Sequence, residues 1–259
     1  MSSYIKSEFY RLIRNRATYL FIGICSVILM SSNVVLAAVK YAESDFPYAT
    51  TRFSYGNLNS SMNMVFLLCI MVGSIIFGNE HNNHTMKNCV SYGIPRGTIY
   101  FSKFIVEIVY SLFAFTIITG FHLISANLLL ENSGPGTFTL LLHTLFACLP
   151  LLLSALATTN CFVFIIEGTG SGIAAIVGVL VAIPTVSNLL AMKFDFFSQL
   201  SKVLPWNLIN TIDFDFEKYI LLLPWEGNAG YRNYWLVGIV WMIGISLLGY
   251  LVFRKKEIK

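Results

Sequence analysis

Residues 19–39 read YLFIGICSVILMSSNVVLAAV, 21 residues without a charge. A bilayer core about 30 Å thick is crossed by roughly 20 such residues in a helix. The alternative is a secretory signal, since Lys6, Arg11, Arg14 and Arg16 precede the run. A signal's apolar region spans only about 7–15 residues, however. The stretch therefore reads as a retained first transmembrane helix, with Ala37 and Ala38 only imitating a cleavage site.

Five more stretches meet the same criterion: 62–78, 104–128, 138–166, 173–192 and 234–253. The second is short. The fourth is long enough to tilt or to kink at Pro150, and Pro184 falls inside the fifth. Composition agrees. Apolar residues make up 56% of the 259 residues and charged residues 12%, too few charges for a water-exposed surface but enough for one facing hydrocarbon. The connections are too short for a soluble domain, so residues 1–259 form a single all-α, polytopic unit.

Charge sets the orientation. With both ends in the cytoplasm, Lys6, Arg11, Arg14, Arg16, Lys87, Arg96, Lys103 and the basic residues at 254–259 all lie inside. The outer segments are then net acidic, as the positive-inside rule requires. The net charge of +4 is thus a topology signal. Basic residues scattered along membrane edges do not make a nucleic-acid surface.

Four other segments carry information. Residues 3–16, SYIKSEFYRLIRNR, place Tyr4, Ile5, Phe9, Leu12 and Ile13 at helical spacing, with Lys6, Arg14 and Arg16 directed elsewhere. This predicts an amphipathic interfacial helix over residues 1–17, its basic side near lipid headgroups. The longest inner loop is GNEHNNHTMKNCVSYGIPRGTIYFSKF, residues 78–104. It predicts two helical pieces, 80–90 and 96–104, separated at Gly93 and Pro95. The third segment is the inner turn EGTGSG at 167–172, whose glycines suit a tight reversal. The fourth is outer segment 193–233. It is too apolar for a free loop and predicts short helices that dip into the outer leaflet, with Trp206 and Trp225 each following a proline. Its acidic residues Asp213, Asp215 and Glu217 read as a solvated connector. Inside the spans, Glu107 lies one turn after Lys103 and is expected to pair with it.

Catalytic signatures are missing. The five cysteines include no CxxC, and they read as inert thiols. His81 and His84 share a possible helix face, but HExxH is absent, so no metal site is predicted. Without GxxxxGK[ST] the chain has no P-loop. An intramembrane protease of the CAAX type needs a Glu-Glu pair, which does not occur here.

The layout of a basic amphipathic start, six spans, the inner loop ending TMKNCVSYGIPRGTIYFSKF and the basic end FRKKEIK resembles the ABC-2 type permeases, membrane subunits of bacterial ABC exporters. The resemblance implies that the loop after span two forms a coupling helix that docks on a separate ATPase. That role falls on Glu80, His81, His84, Thr85, Lys87, Asn88, Arg96 and Lys103. Many members have glycine where His84 precedes Thr85. The interfacial helix would contribute Lys6, Phe9, Arg11, Leu12, Arg14 and Arg16. The re-entrant helices between the last two spans would contribute Phe197, Leu204, Pro205, Trp206, Pro224 and Trp225. The resemblance further implies a bacterial plasma-membrane location, a second or sister permease, contact with membrane lipid, and no cofactor on this chain, with ATP and Mg bound by the partner. Few buried charges line such a path, so the expected cargo is an amphipathic or hydrophobic peptide or peptide antibiotic, for export or self-immunity. The alternatives are a non-transporting structural or sensory membrane subunit and, behind it, an intramembrane enzyme.

Overall fold

The structure is a computed structural model, and it describes residues 1–43, 45–83, 86–166, 168–215, 220–222 and 231–256. Helix α1 (Ser2–Arg14) stops at Asn15, whose backbone is extended. The Asn15 side chain then accepts a hydrogen bond from the Ala17 amide at 3.0 Å, capping α2 (Arg16–Ala42). At about 1.5 Å per residue the 27 residues of α2 extend about 40 Å.

Before the predicted second span comes a helix that the apolar pattern does not mark, α3 (Thr51–Ser60), capped by the Thr50 hydroxyl. It meets α4 (Asn63–Asn83) at a bend of 62°. The short apolar window at 62–78 is thus the second arm of a bent helix pair. Helix α5 (Met86–Ser91) follows, and Gly93 ends it at a φ of +78° that only glycine adopts freely.

Next is α6 (Arg96–Leu129), opened by Pro95. Here the expectation of a separate piece at 96–104 is corrected. Once Pro95 has set the first turn nothing interrupts the helix, and those residues are the start of α6 itself. Helix α7 (Pro135–Ile165) begins on Pro135 and continues through Pro150.

The fifth span is divided into α8 (Thr169–Val177), a π-helical stretch at Gly178–Ala182, and α9 (Ile183–Leu190). The wider π turn lies directly before Pro184, where a regular helix would set the proline ring against the carbonyl four residues back. Beyond it are α10 (Asp195–Ser201) and α11 (Pro205–Ile209). A hairpin of β1 (Asp213–Asp215) and β2 (Ile220–Leu222) follows, pairing Asp213 with Leu222 and Asp215 with Ile220. The apolar run late in this segment, expected to form one of its short helices, is corrected to the strand at Ile220–Leu222. The last span is α12 (Arg232–Lys255).

Among the described residues, five helices are long and apolar enough to cross a membrane, six crossings if the bent pair counts as one. The protein is a multi-pass, helical membrane protein, and the described residues add a small hairpin. Helix α7 is central and packs along α12. A Cβ on Gly238 of α12 would lie 2.5 Å from the Pro150 carbonyl carbon, and one on Gly249 would lie 2.8 Å from Cys161 Sγ. Small residues let these helix backbones approach closely, as membrane helices require. Helix α2 is the least covered, exposing Leu20, Ile24, Val27 and Ile28.

Candidate functional site: a charged platform, an opposite cap and buried polar nodes

One end of the bundle gathers α1, the end of α4, the start of α6 and the end of α12. Helix α1 turns Leu12 and the partly buried Tyr4, Ile5 and Phe9 against the bundle. Ile13 and Tyr10 stay exposed, as do Lys6, Arg14 and Arg16. Arg14 sits 4.5 Å over the Tyr10 ring.

The docked face of α1 also carries charge. Glu8, almost fully buried, accepts from Arg11 at 2.6 Å and from Lys103 of α6 at 3.0 Å. Arg11 also donates to the Ile76 carbonyl of α4 at 2.9 Å. The Lys103 ammonium lies 5.1 Å above the Phe77 ring, a cation–π contact. Lys103 therefore pairs with Glu8, and the expected partnership with Glu107 is corrected. The two groups share a helix face, but α1 brings a second carboxylate from outside.

Arg96 closes the same end. Its Nη1 donates to the carbonyls of Phe253, Arg254 and Lys256 at 2.8, 2.9 and 2.5 Å. These are orphan acceptors at the end of α12, where the helix dipole also favours a cation. Lys256 in turn reaches the Phe164 carbonyl of α7 at 3.4 Å.

Of the remaining coupling candidates, Glu80 and His81 fall within α4, and Lys87 and Asn88 within α5. His84 and Thr85 lie outside the described residues.

The opposite end is capped by α10, α11 and the hairpin. Leu204 and Pro205 are buried, and Trp206 meets Phe66 edge-on at 5.7 Å. Phe197 is half-buried in a cluster with Phe194 and Phe196. Pro224 and Trp225 lie outside the described residues. Hydrogen bonds anchor this cap. Asn207 donates to the Pro184 carbonyl at 3.1 Å, Asn63 to Asn210 at 2.9 Å and Trp241 to the Val203 carbonyl at 2.7 Å.

A third feature is a buried node that sequence reading left unassembled. Asn33 of α2 donates to the Ser125 hydroxyl at 2.8 Å and accepts from Ser54 of α3 at 2.7 Å. Ser54 also meets His122 Nε2 at 3.0 Å. The available signal was Asn33 itself, a polar residue inside an apolar run. Such side chains hydrogen-bond between helices.

Among the described residues, no group of three or more His, Cys, Asp and Glu is placed to hold a metal ion. The cysteines at 25, 69, 89, 148 and 161 are all free thiols.

No curated protein matches this chain. A family described as ABC-2 family transporter protein matches residues 4–185, from the start of α1 into α9. That match covers the docked N-terminal helix, the bent second crossing and the polar segment after it. The chain belongs to the ABC-2 family of transporter permeases, membrane transport subunits with no catalytic site of their own.

Proposed function

We propose that this protein is the permease subunit of an ATP-driven exporter, with both termini in the cytoplasm of a bacterial cell. A separate ATPase binds ATP and Mg and docks on the segment after α4. The observation that carries this reading is the charged platform. Glu8, Arg11, Lys103 and Arg96 tie α1, α4, α6 and α12 together beside that segment. A push there reaches four elements at once, which is what a coupling surface needs to bias a two-state bundle. Lys103 is fully buried, so it acts through Glu8, whereas residues of α4 and α5 meet the partner. A second permease copy or a sister chain completes the path.

For the cargo we propose an amphipathic or hydrophobic peptide or peptide antibiotic, exported for secretion or self-protection. A mostly apolar cleft of about 570 Å³ between α2 and α4, lined by Leu20, Phe21, Ile24, Met71 and Ile75, supports an apolar ligand. The α10–α11 cap is read as the outer re-entrant element over the path, and α1 as the interfacial helix.

The test is affinity capture of the tagged protein, gently solubilised from its own membranes, followed by mass spectrometry. A stoichiometric soluble protein with a P-loop is expected, and its ATPase activity should respond to apolar peptides. Absence of any ATPase under several mild detergents would overturn the reading in favour of a structural or sensory subunit.

A further inference from the structure

Glu107 lies on α6 one turn beyond Lys103. It is fully buried, yet neither carboxylate oxygen has a hydrogen-bond partner. The nearby lysine is held by Glu8. Two further buried groups are unmatched in the same region, the Tyr100 hydroxyl and both polar atoms of the Asn160 amide. Tyr100 precedes Glu107 by two helical turns and so shares its face of α6. Its hydroxyl faces the Asn160 amide but makes no bond of good geometry with it. Thr159, adjacent to Asn160 on α7, and Glu107 both lie over Gly73 of α4. A Cβ built on Gly73 would press into Thr159 Cγ2 and lie 3.5 Å from Glu107 Oε1. The unmatched groups thus line one seam between α4, α6 and α7.

A lone ionised carboxylate is not kept in such a place, because burial removes its hydration and nothing replaces it. The seam needs a positive charge that the described residues do not supply. Its unmatched atoms include the oxygens of a carboxylate, an amide and a phenol, all able to accept a hydrogen bond or to ligate a hard cation. We propose that Glu107, Asn160 and Tyr100 form a binding site for a small monovalent cation, a proton or an alkali-metal ion. Bound as a proton, the cation turns the carboxyl into a donor toward neighbouring acceptors. Bound as an alkali ion, it is held by those oxygens directly. Among the described residues, the titratable groups near Glu107 are Cys69 of α4, Tyr100 and Lys103 of α6, and Cys161 of α7 beside Tyr100. Lys103 is occupied by Glu8 of α1.

This inference concerns the chain alone and does not depend on the exporter reading. The test uses purified protein in phosphatidylcholine nanodiscs at neutral pH, with choline chloride as the only salt and then with sodium or potassium chloride. Infrared spectroscopy reads protonated carboxyl groups, and the melting temperature reads alkali binding. If the cation is a proton, a protonated-carboxyl band appears in choline, disappears in Glu107→Gln, returns displaced in Glu107→Asp and moves in Asn160→Leu. If it is an alkali ion, sodium or potassium raises the melting temperature above that in equal choline. Glu107→Gln then abolishes the increase, and Asn160→Leu raises the half-saturating concentration severalfold. Should Glu107→Gln fail to fold, Glu107→Asp and the wild type carry both readouts. A wild type with no protonated band and a melting temperature indifferent to alkali ions overturns the proposal. So does a band that Glu107→Gln and Glu107→Asp leave unchanged when the melting temperature is indifferent to alkali ions, or an alkali response that Glu107→Gln leaves intact.

Discussion

At the scale of single residues, the decisive contact is between Lys103 and Glu8. An ammonium without exposure and a carboxylate nearly so lie 3.0 Å apart. Removing one member of such a pair costs more than the pair is worth, because the other charge stays buried. Glu8→Ala takes the carboxylate from the ammonium and is expected to destabilise the protein by about 3 kcal/mol. Lys103→Met should cost less, because Arg11 still neutralises Glu8 at 2.6 Å. The double variant should recover part of the loss, with a coupling of about 1 kcal/mol or more in a double-mutant cycle read by thermal melting in detergent. Simple additivity would show that the two charges do not sense each other. Sequence reading offered Glu107 as the lysine's partner because a spacing of four residues is visible along the chain. A carboxylate 95 residues away is not.

At the scale of elements, helix contacts are set by where a Cβ fits. On α12, a methyl at position 238 would lie 2.5–2.7 Å from backbone atoms of Pro150 and Leu151, and backbone cannot rotate out of the way. Gly238→Ala is expected to part α7 from α12 and to cost about 1–3 kcal/mol, as overpacked cores do. Gly120 of α6 has nothing within 4 Å of its would-be Cβ. Gly120→Ala should be neutral or stabilise by up to about 1 kcal/mol through helix propensity. Melting both variants beside the wild type checks the contrast, and equal effects would refute the packing account. In the sequence the two glycines look alike.

The same limit explains the element errors. Helix α3 buries Thr51, Ser54 and Asn59 beside Tyr55, so polar residues interrupt its inward face and leave no continuous apolar stripe to find. The strand Ile220–Leu222 is a three-residue apolar run, too short for periodicity to tell strand from helix.

At the scale of the whole molecule, the platform at one end and the cap at the other are joined through the α7–α12 core. If the end of α4 and α5 receive the ATPase, replacing Glu80, His81, Lys87 and Asn88 together with alanine should abolish partner capture. Membrane insertion, read by protease protection of the termini, should be unchanged. Capture that survives wholesale disruption of that segment would move the docking surface elsewhere. Because Arg96 and Lys103 are engaged within the bundle, substituting them should lower stability together with coupling, which separates them from the α4 and α5 positions.

By itself the sequence determined that the chain is a helical membrane protein with several apolar stretches long enough to cross a bilayer. Those outcomes follow from the transfer of local apolar stretches into hydrocarbon, and local stretches are what a sequence displays. Family membership was legible for the same reason, since the order of spans and polar loops lies along the chain. Tertiary structure alone decided which charges meet. It gave Lys103 to Glu8 and Arg96 to the end of α12. It gathered Asn33, Ser54 and His122 into one node and left Glu107, Asn160 and Tyr100 buried without hydrogen-bond partners. Pairing in a bundle depends on how helices rotate and approach, and the packing of small residues sets that rotation between segments far apart in the chain.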